Sequence, residues 1–354
     1  MIRYIPFLKA KQGELNAMSE LAPKVKEAIC PLFDFPRPKA DYDSAAYADT
    51  ANRIAASLKK HWREEAEFYF DDRDIGQKLK VEGAEKYAYV LGALHELNVI
   101  PVVGLSRTGH NGSVARLKRN GEIGSAIVAF RIEKTNFQDF DVIKDQLEYE
   151  LDDVFKEFDA IDLILDCRLC SGFDVSETGL EIAAFAKKFC AGYDKVRRVI
   201  VTGSSIPPSI GDVLDVDETE HLPRRELAII GKARDLSDVD IVPGDYASVS
   251  PFYSDADIDE RLMQTVMTAR LIYPFKGFHY FIRGGSMKTR GAKQYFALAK
   301  ELCGNGFFRG PTYSSGDFYL HEKSKSLGKN ATNGAVVKPS VVAHITYMVL
   351  GAKA

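Results

Sequence analysis

Charged residues stand at the ends of the apolar runs along this chain. Lys9 and Lys11 close the run that opens at Tyr4, Asp34 closes "ICPLFD", and Asp71, Asp72 and Arg73 follow "FYF". Further on, Arg131 and Glu133 end "AIVAFRIE", Asp166 and Arg168 end "DLILDCR", and Ser204, Ser205, Asp245 and Tyr246 close two later runs. Lysines and arginines so placed can grip an anion, while carboxylates can hold those cations, ligate a metal or act as a base. Residue types alone leave these roles open. The three carboxylates Asp34, Asp72 and Asp166, with no histidine at the run ends, would suit only a hard, oxygen-preferring ion such as magnesium or manganese. A strand end is also simply where solvation begins, so the set carries the expectation rather than any one member.

Two loops have the composition to hold a phosphate. "TGSSIPPS" at 202–209 offers backbone amides, but Pro207 and Pro208 remove two donors. "IRGGSMKTRGAK" at 282–293 sets a glycine turn beside Arg283, Lys288, Arg290 and Lys293 ahead of a helix, which makes it the better anion-binding candidate. Neither matches a Walker loop. Cys167 and Cys170 form a C-x-x-C without the second cysteine or histidine pair that zinc needs, and read as core fillers. "YPFKGFHYFIR" interleaves aromatics with Lys276, His279 and Arg283, and reads as a buried hairpin rather than a base-stacking platform. His344, inside the apolar run "VVAHITYMVL", reads as a hydrogen-bonded core residue.

The elements that must position these residues follow a regular plan. Strand-like runs begin at 3, 28, 67, 99, 125, 161, 196 and 239, eight in all, at a spacing close to one strand–helix unit. Helix-period segments lie between them at 47–62, 84–98, 141–158, 176–190 and 224–234, with Ser176 as an expected N-cap and two shorter helices after the first and fourth strands. Eight strands each followed by a helix predict an α/β fold, a (β/α)8 barrel. The alternative is an open doubly wound sheet. Such a sheet usually carries a glycine fingerprint after its first strand, where this chain has "KAKQGE". In a barrel the chemistry belongs at the C-terminal strand ends, and strict alternation would place Asp34, Asp166 and Arg168 inward at one mouth. Alternation also predicts Lys9 and Lys11 on one face, about 7 Å apart.

The expected barrel occupies 1–254. Residues 255–354 read as an α+β addition packed on it and not as an independent domain, since no linker or repeat intervenes. Its expected parts are a helix near 255–268, a strand pair at 269–286 broken at Lys276–Gly277, a helix at 291–304, a polar surface loop or lid at 321–335 and the apolar run at 341–350.

With 354 residues, 45% of them hydrophobic and 27% charged, the chain can bury a large core. No stretch reaches the roughly 18 apolar residues of a membrane span. A formal net charge of -3 argues against nonspecific nucleic-acid binding, so any anion site must be local. Five scattered cysteines and an N-terminus without a signal-peptide pattern point to a reducing cytoplasm.

The opening "YIPFLKAKQGELNAMSEL", the strand "ICPLFDFPRP", the late "YSSGDFYLHE" and the closing "VVAHITYMV" resemble the beta protein family of bacterial genomes, phages and phage satellites. The resemblance runs in order over nearly the whole chain. It implies a role on mobile elements, in phage conflict or in neutralising a partner toxin. The positions that match the family pattern are Lys9, Lys11, Glu14, Asp34, Gly316, Asp317 and His344, with Asp34 where a glutamate is expected and Ser315 where a tryptophan is expected. Three functions are then open. The mouth binds a small anion, phosphorylated or nucleotide-like; it holds a divalent ion for a hydrolase or lyase; or 269–350 is a protein-binding surface.

Overall fold

A computed structural model of the chain describes residues 2–38, 41–62, 65–253 and 267–351. Eight parallel strands close into a barrel: β1 (Ile5–Lys9), β2 (Leu32–Asp34), β3 (Phe68–Asp71), β6 (Val99–Val103), β7 (Ile127–Glu133), β8 (Ala160–Leu169), β9 (Val196–Ser204) and β11 (Ile241–Asp245). Each neighbours the next in that order, and β11 returns to β1 with Ile5 opposite Gly244. The intervening β4 (Lys80–Val81) and β5 (Ala84–Glu85) form a small hairpin after β3. No open sheet edge remains on the barrel, as the eight-run reading predicts.

Between the strands lie α1 (Gln12–Glu20), α2 (Pro23–Lys26), α3 (Ser44–His61), α4 (Lys86–Ala93), α5 (Thr108–Arg119), α6 (Phe140–Glu157), α7 (Val175–Gly192) and α8 (Arg225–Leu236). Local chemistry moves several ends from their expected places. Asp43 accepts from the Ala46 amide and starts α3 early, and Asp174, not Ser176, caps α7 through the Glu177 amide. Glu85 accepts from the amides of Tyr87 and Ala88, so α4 starts after the hairpin and is shorter than the 84–98 pattern.

The barrel interior is layered by strand alternation. Phe7, Leu32, Ile100, Val102, Ala129, Ile164 and Ile200 fill its middle. Below them Tyr69 donates to Asp162 at 2.6 Å, Arg198 donates to the same phenol at 2.6 Å, and Arg197 pairs with Asp162, closing one end. Two residues beyond the apolar middle along the strands, at Lys9, Asp34, Arg131 and Asp166, lies the charged layer at the other end. The apolar middle separates the two polar layers.

Beyond the barrel, β12 (Thr268–Phe275) and β13 (Phe278–Ser286) form the expected hairpin across Lys276–Gly277. They take a third strand from inside the expected barrel span: β10 (Thr219–Pro223) pairs antiparallel with β13. The boundary at 254 therefore divides the sequence but not this sheet. Helices α9 (Met287–Arg290), α10 (Gln294–Gly304), α11 (Ser315–Ser324) and α12 (Val337–Leu350) follow. Thus the apolar tail is a helix, and α11 takes the first part of the polar stretch at 321–335. Val341, Val342 and Ile345 of α12 join the apolar layer around the barrel, while Ala343 joins the core of the addition. The helix expected near 255–268 lies outside the described residues up to 266, and Thr268 opens β12. Among the described residues no helix is long and apolar enough to cross a membrane.

Candidate functional site

Strand parity builds the site. Residues 5, 7 and 9 of β1 face inward, so Lys9 is the first polar group above the apolar middle; Asp34 and Asp71 lie opposite it in turn on β2 and β3, and Arg131 and Asp166 reach the same layer from β7 and β8. All five side chains are buried. Arg131 lies among the carboxylates: Nη1 donates to Asp34 at 2.6 Å and Asp71 at 2.9 Å, and Nη2 and Nε donate to Asp166 at 2.7 and 3.0 Å. Tyr246 donates to Asp166 at 2.6 Å and accepts from Arg131 at 2.8 Å. A guanidinium with five fixed donors is the cation that can bind three acids at once.

The charges explain why these acids stay ionised. Burial pushes the Asp34 carboxyl upward, yet Arg131 and Lys9 hold it below the usual carboxylate range. Burial raises and Arg131 and Arg168 lower Asp166, again with a net downward shift. Asp71 is driven down more strongly, against burial, by Arg107 and Arg131. Arg107 reaches Asp71 at 2.9 Å and Asp72 at 2.8 Å.

The rim lies above this layer. Lys9 pairs with Asp34 at 3.3 Å and with Asp74 at 3.0 Å. Asp74 in turn holds Arg168 Nη2 at 3.2 Å, so one carboxylate bridges two cations. Arg168 also approaches Glu133 at 3.3 Å, Glu133 pairs with Arg73 at 2.7 Å, and the Arg168 guanidinium lies 4.8 Å from the centre of the Phe252 ring. Its backbone is in the left-handed region, φ 52°, where β8 loses register with β9 between Asp166 and Leu169. Its side chain is 10% exposed, and Nη1 has no hydrogen-bond partner among the described residues.

Lys11 does not continue β1. The strand ends at Lys9, and Lys11 is the extended N-cap of α1. The same-face spacing expected from alternation is therefore replaced by a turn, and both ammonium groups come over the Tyr253 ring, each 4.8 Å from its centre. Arg37 lies 5.0 Å from the same ring. Lys11 has no carboxylate at ion-pair distance among the described residues.

Of the residues expected at the mouth, Lys9, Asp34, Arg131, Asp166 and Arg168 meet there and Lys11 joins them at the rim. Asp72 lies one residue past the inward position taken by Asp71 and turns to Lys86, Arg107 and Tyr47. Asp245 faces outward, because alternation gives the inward positions to Gly244 and Tyr246. It binds Tyr4 at 2.5 Å, Arg224 at 2.5 Å and His344 at 3.0 Å on the outside of the barrel. Arg283 belongs to β13, where it donates to Leu214 and lies 3.3 Å from Thr268 Oγ1. Asp317, in the first turn of α11, accepts from Tyr273 and Ser314 inside the addition. These last three are not brought to the mouth.

The expected metal trio does not assemble. Asp34 and Asp166 are both spent on Arg131, and Asp72 faces elsewhere. Asp72, Glu85 and His110 do bring ligand atoms within 4.8 Å of one another. Cations already fill that place, since Lys86 and Arg107 donate to the two oxygens of Asp72. His110 Nε2 meets the Val102 carbonyl at 2.8 Å, which leaves Nδ1 to accept from Arg107 at 3.0 Å. Asp74, Arg107, His110 and Tyr253 were not among the sequence candidates because they lie on loops and a helix start beyond the strand ends, where alternation carries no information. Asp71 was legible from its parity with Tyr69.

The family profile described as Beta protein matches residues 4–350. No curated protein matches the chain.

Proposed function

We propose that this chain, which belongs to the Beta protein family, uses the charged mouth of its barrel to bind a small anionic ligand, phosphorylated or nucleotide-like. Arg168 is the observation that supports this reading. A non-glycine residue in the left-handed region costs on the order of 1–3 kcal/mol, and a buried donor without an acceptor costs on the order of another 1–3 kcal/mol. Arg168 bears both. An anion oxygen at Nη1 would remove the second cost and give the first a purpose. Lys11, with no carboxylate at ion-pair distance among the described residues, adds a further cation on the same rim, where Asp74 holds Lys9 and Arg168 together.

Thermal unfolding in the presence of nucleotides, phosphosugars and inorganic phosphate tests the reading. A ligand at a hundred times its dissociation constant stabilises by about 2.7 kcal/mol. At least one member of the panel should raise the melting temperature of the wild type, and Arg168→Gln should abolish the shift while melting near the wild type without ligand. Absence of any shift would overturn the assignment and favour residues 269–350 as a protein-binding surface. The family resemblance implies phage conflict or toxin neutralisation, and that is the phenotype in which Arg168→Gln should fail.

A further inference from the structure

The buried carboxyls of the mouth are not alike. Asp34, Asp71, Asp72 and Asp166 each hold a lysine or arginine at ion-pair distance. Glu14 is equally enclosed, 3% exposed, and has no such cation among the described residues. Among the described residues its carboxyl accepts one hydrogen bond, from the Lys9 amide, 3.0 Å from Oε1. Lys11, three residues before it, stands over Tyr253 rather than on the carboxyl.

The surroundings of Glu14 can be named from each packed element. Strand β1 contributes Lys9, β2 contributes Asp34, the segment after β11 contributes Tyr253, and its own helix start contributes Lys11. Helix α3 brings His61 to Ser19 and α12 brings Lys338 to Glu20, both at the far end of α1. Near the carboxyl, then, the balance is two ammonium groups that touch other partners and one carboxylate. A carboxylate without a counterion in such a place favours its neutral form. Burial pushes Glu14 up to about 7, with Lys11 opposing.

We propose that the mouth takes up its anion together with a proton, carried by Glu14. The inference rests on the anion-binding reading above and adds its regulation. An anion drawn to Lys9 and Lys11 spends the positive charge that keeps Glu14 ionised, so ligand and proton favour one another. Linkage makes the coupling reciprocal, and affinity must fall as pH rises through the range in which the free carboxyl ionises. The ligand favoured at such a site is one delivered and released across a neutral-to-alkaline change, or one whose own proton passes to Glu14 on binding.

Sulfate is the suitable probe, because it keeps its charge across the range of the test. Its affinity for the wild type should fall by up to about tenfold per pH unit above pH 7, the limit set by one linked proton. Glu14→Gln keeps an acceptor for the Lys9 amide and removes the titration, so its affinity should be flat with pH. Calorimetry of the wild type at pH 7.5 in two buffers of different ionisation enthalpy should show net proton uptake on sulfate binding, a readout that needs no variant to fold. A flat wild-type profile, a slope retained in Glu14→Gln, or no proton uptake would overturn the proton coupling and leave anion binding intact. Sulfate binding at no pH would overturn both.

Discussion

At the scale of the residue, the mouth is a set of carboxylates arranged around cations of unequal importance. Arg131 serves three acids with one side chain, whereas Asp34 keeps Arg131 at 2.6 Å even if Lys9 is removed. Breaking a buried ion pair by deleting one partner costs on the order of 3–5 kcal/mol, because the other charge is stranded. Arg131→Met should therefore lose at least that much in a denaturant titration. Lys9→Met should lose less, about 2 kcal/mol, the scale of a charged hydrogen bond, because both of its acids keep another cation, Asp34 through Arg131 and Asp74 through Arg168. Equal losses would show that Lys9 is as necessary to the buried acids as Arg131.

At the scale of the element, two glycines set how closely the parts approach. A Cβ on Gly244 would lie 2.9 Å from the Ile5 carbonyl and 2.9 Å from Phe7, at the seam where β11 closes on β1. One on Gly316 would lie 2.1 Å from the Pro339 carbonyl and 2.8 Å from the Ala343 amide, where α11 crosses α12. Overpacking of this kind costs roughly 1–3 kcal/mol. Hydrogen exchange should separate the two substitutions. Gly244→Ala should raise exchange in β1 and β11, and Gly316→Ala should raise it in α11 and α12 while the barrel strands keep their protection. Loss of barrel protection in Gly316→Ala would mean that barrel and addition unfold as one unit.

At the scale of the whole molecule, the barrel and the addition are joined by a buried polar contact. His344 of α12 meets Asp245 at 3.0 Å, and His279 of β13 lies 3.6 Å from Glu226. Arg224 binds both acids, and Ser205 donates to Glu226 at 2.7 Å. Burial lowers both histidines, His279 to about 4, against the pull of Glu226. A base whose folded value is depressed binds fewer protons folded than unfolded, so its contribution to stability is complete above about pH 6.5 and is lost as pH falls toward 4. For His279 the loss is on the order of 3 kcal/mol. Melting temperatures measured from pH 7 to 4 should fall, and His279→Gln should flatten part of the decline. A variant as acid-sensitive as the wild type would remove His279 from this account.

The sequence by itself determined the barrel. Each of its eight strands is an apolar run of the right length, and period and spacing are local properties that survive without coordinates. Alternation also put Asp34 and Asp166 inward, because it is as local as the strand itself, and the strand ends put Lys9 and Arg131 at the same end of the barrel. The tertiary structure decided everything beyond the last residue of each strand. There the chain turns, so Lys11 leaves the face of Lys9 and Asp72 leaves that of Asp71, and just before the end of β8 a register break sets Arg168 at φ 52°. Parity assigned Asp245 to the outside once Gly244 was known to face Phe7, and only the docked addition shows what it meets there. Which acid pairs with which base is likewise a matter of distances across the barrel. Arg131 and Asp34 are 97 residues apart in the chain and 2.6 Å apart in space. No pattern within a strand carries that pairing, since it is the closure of the sheet that brings the two ends together.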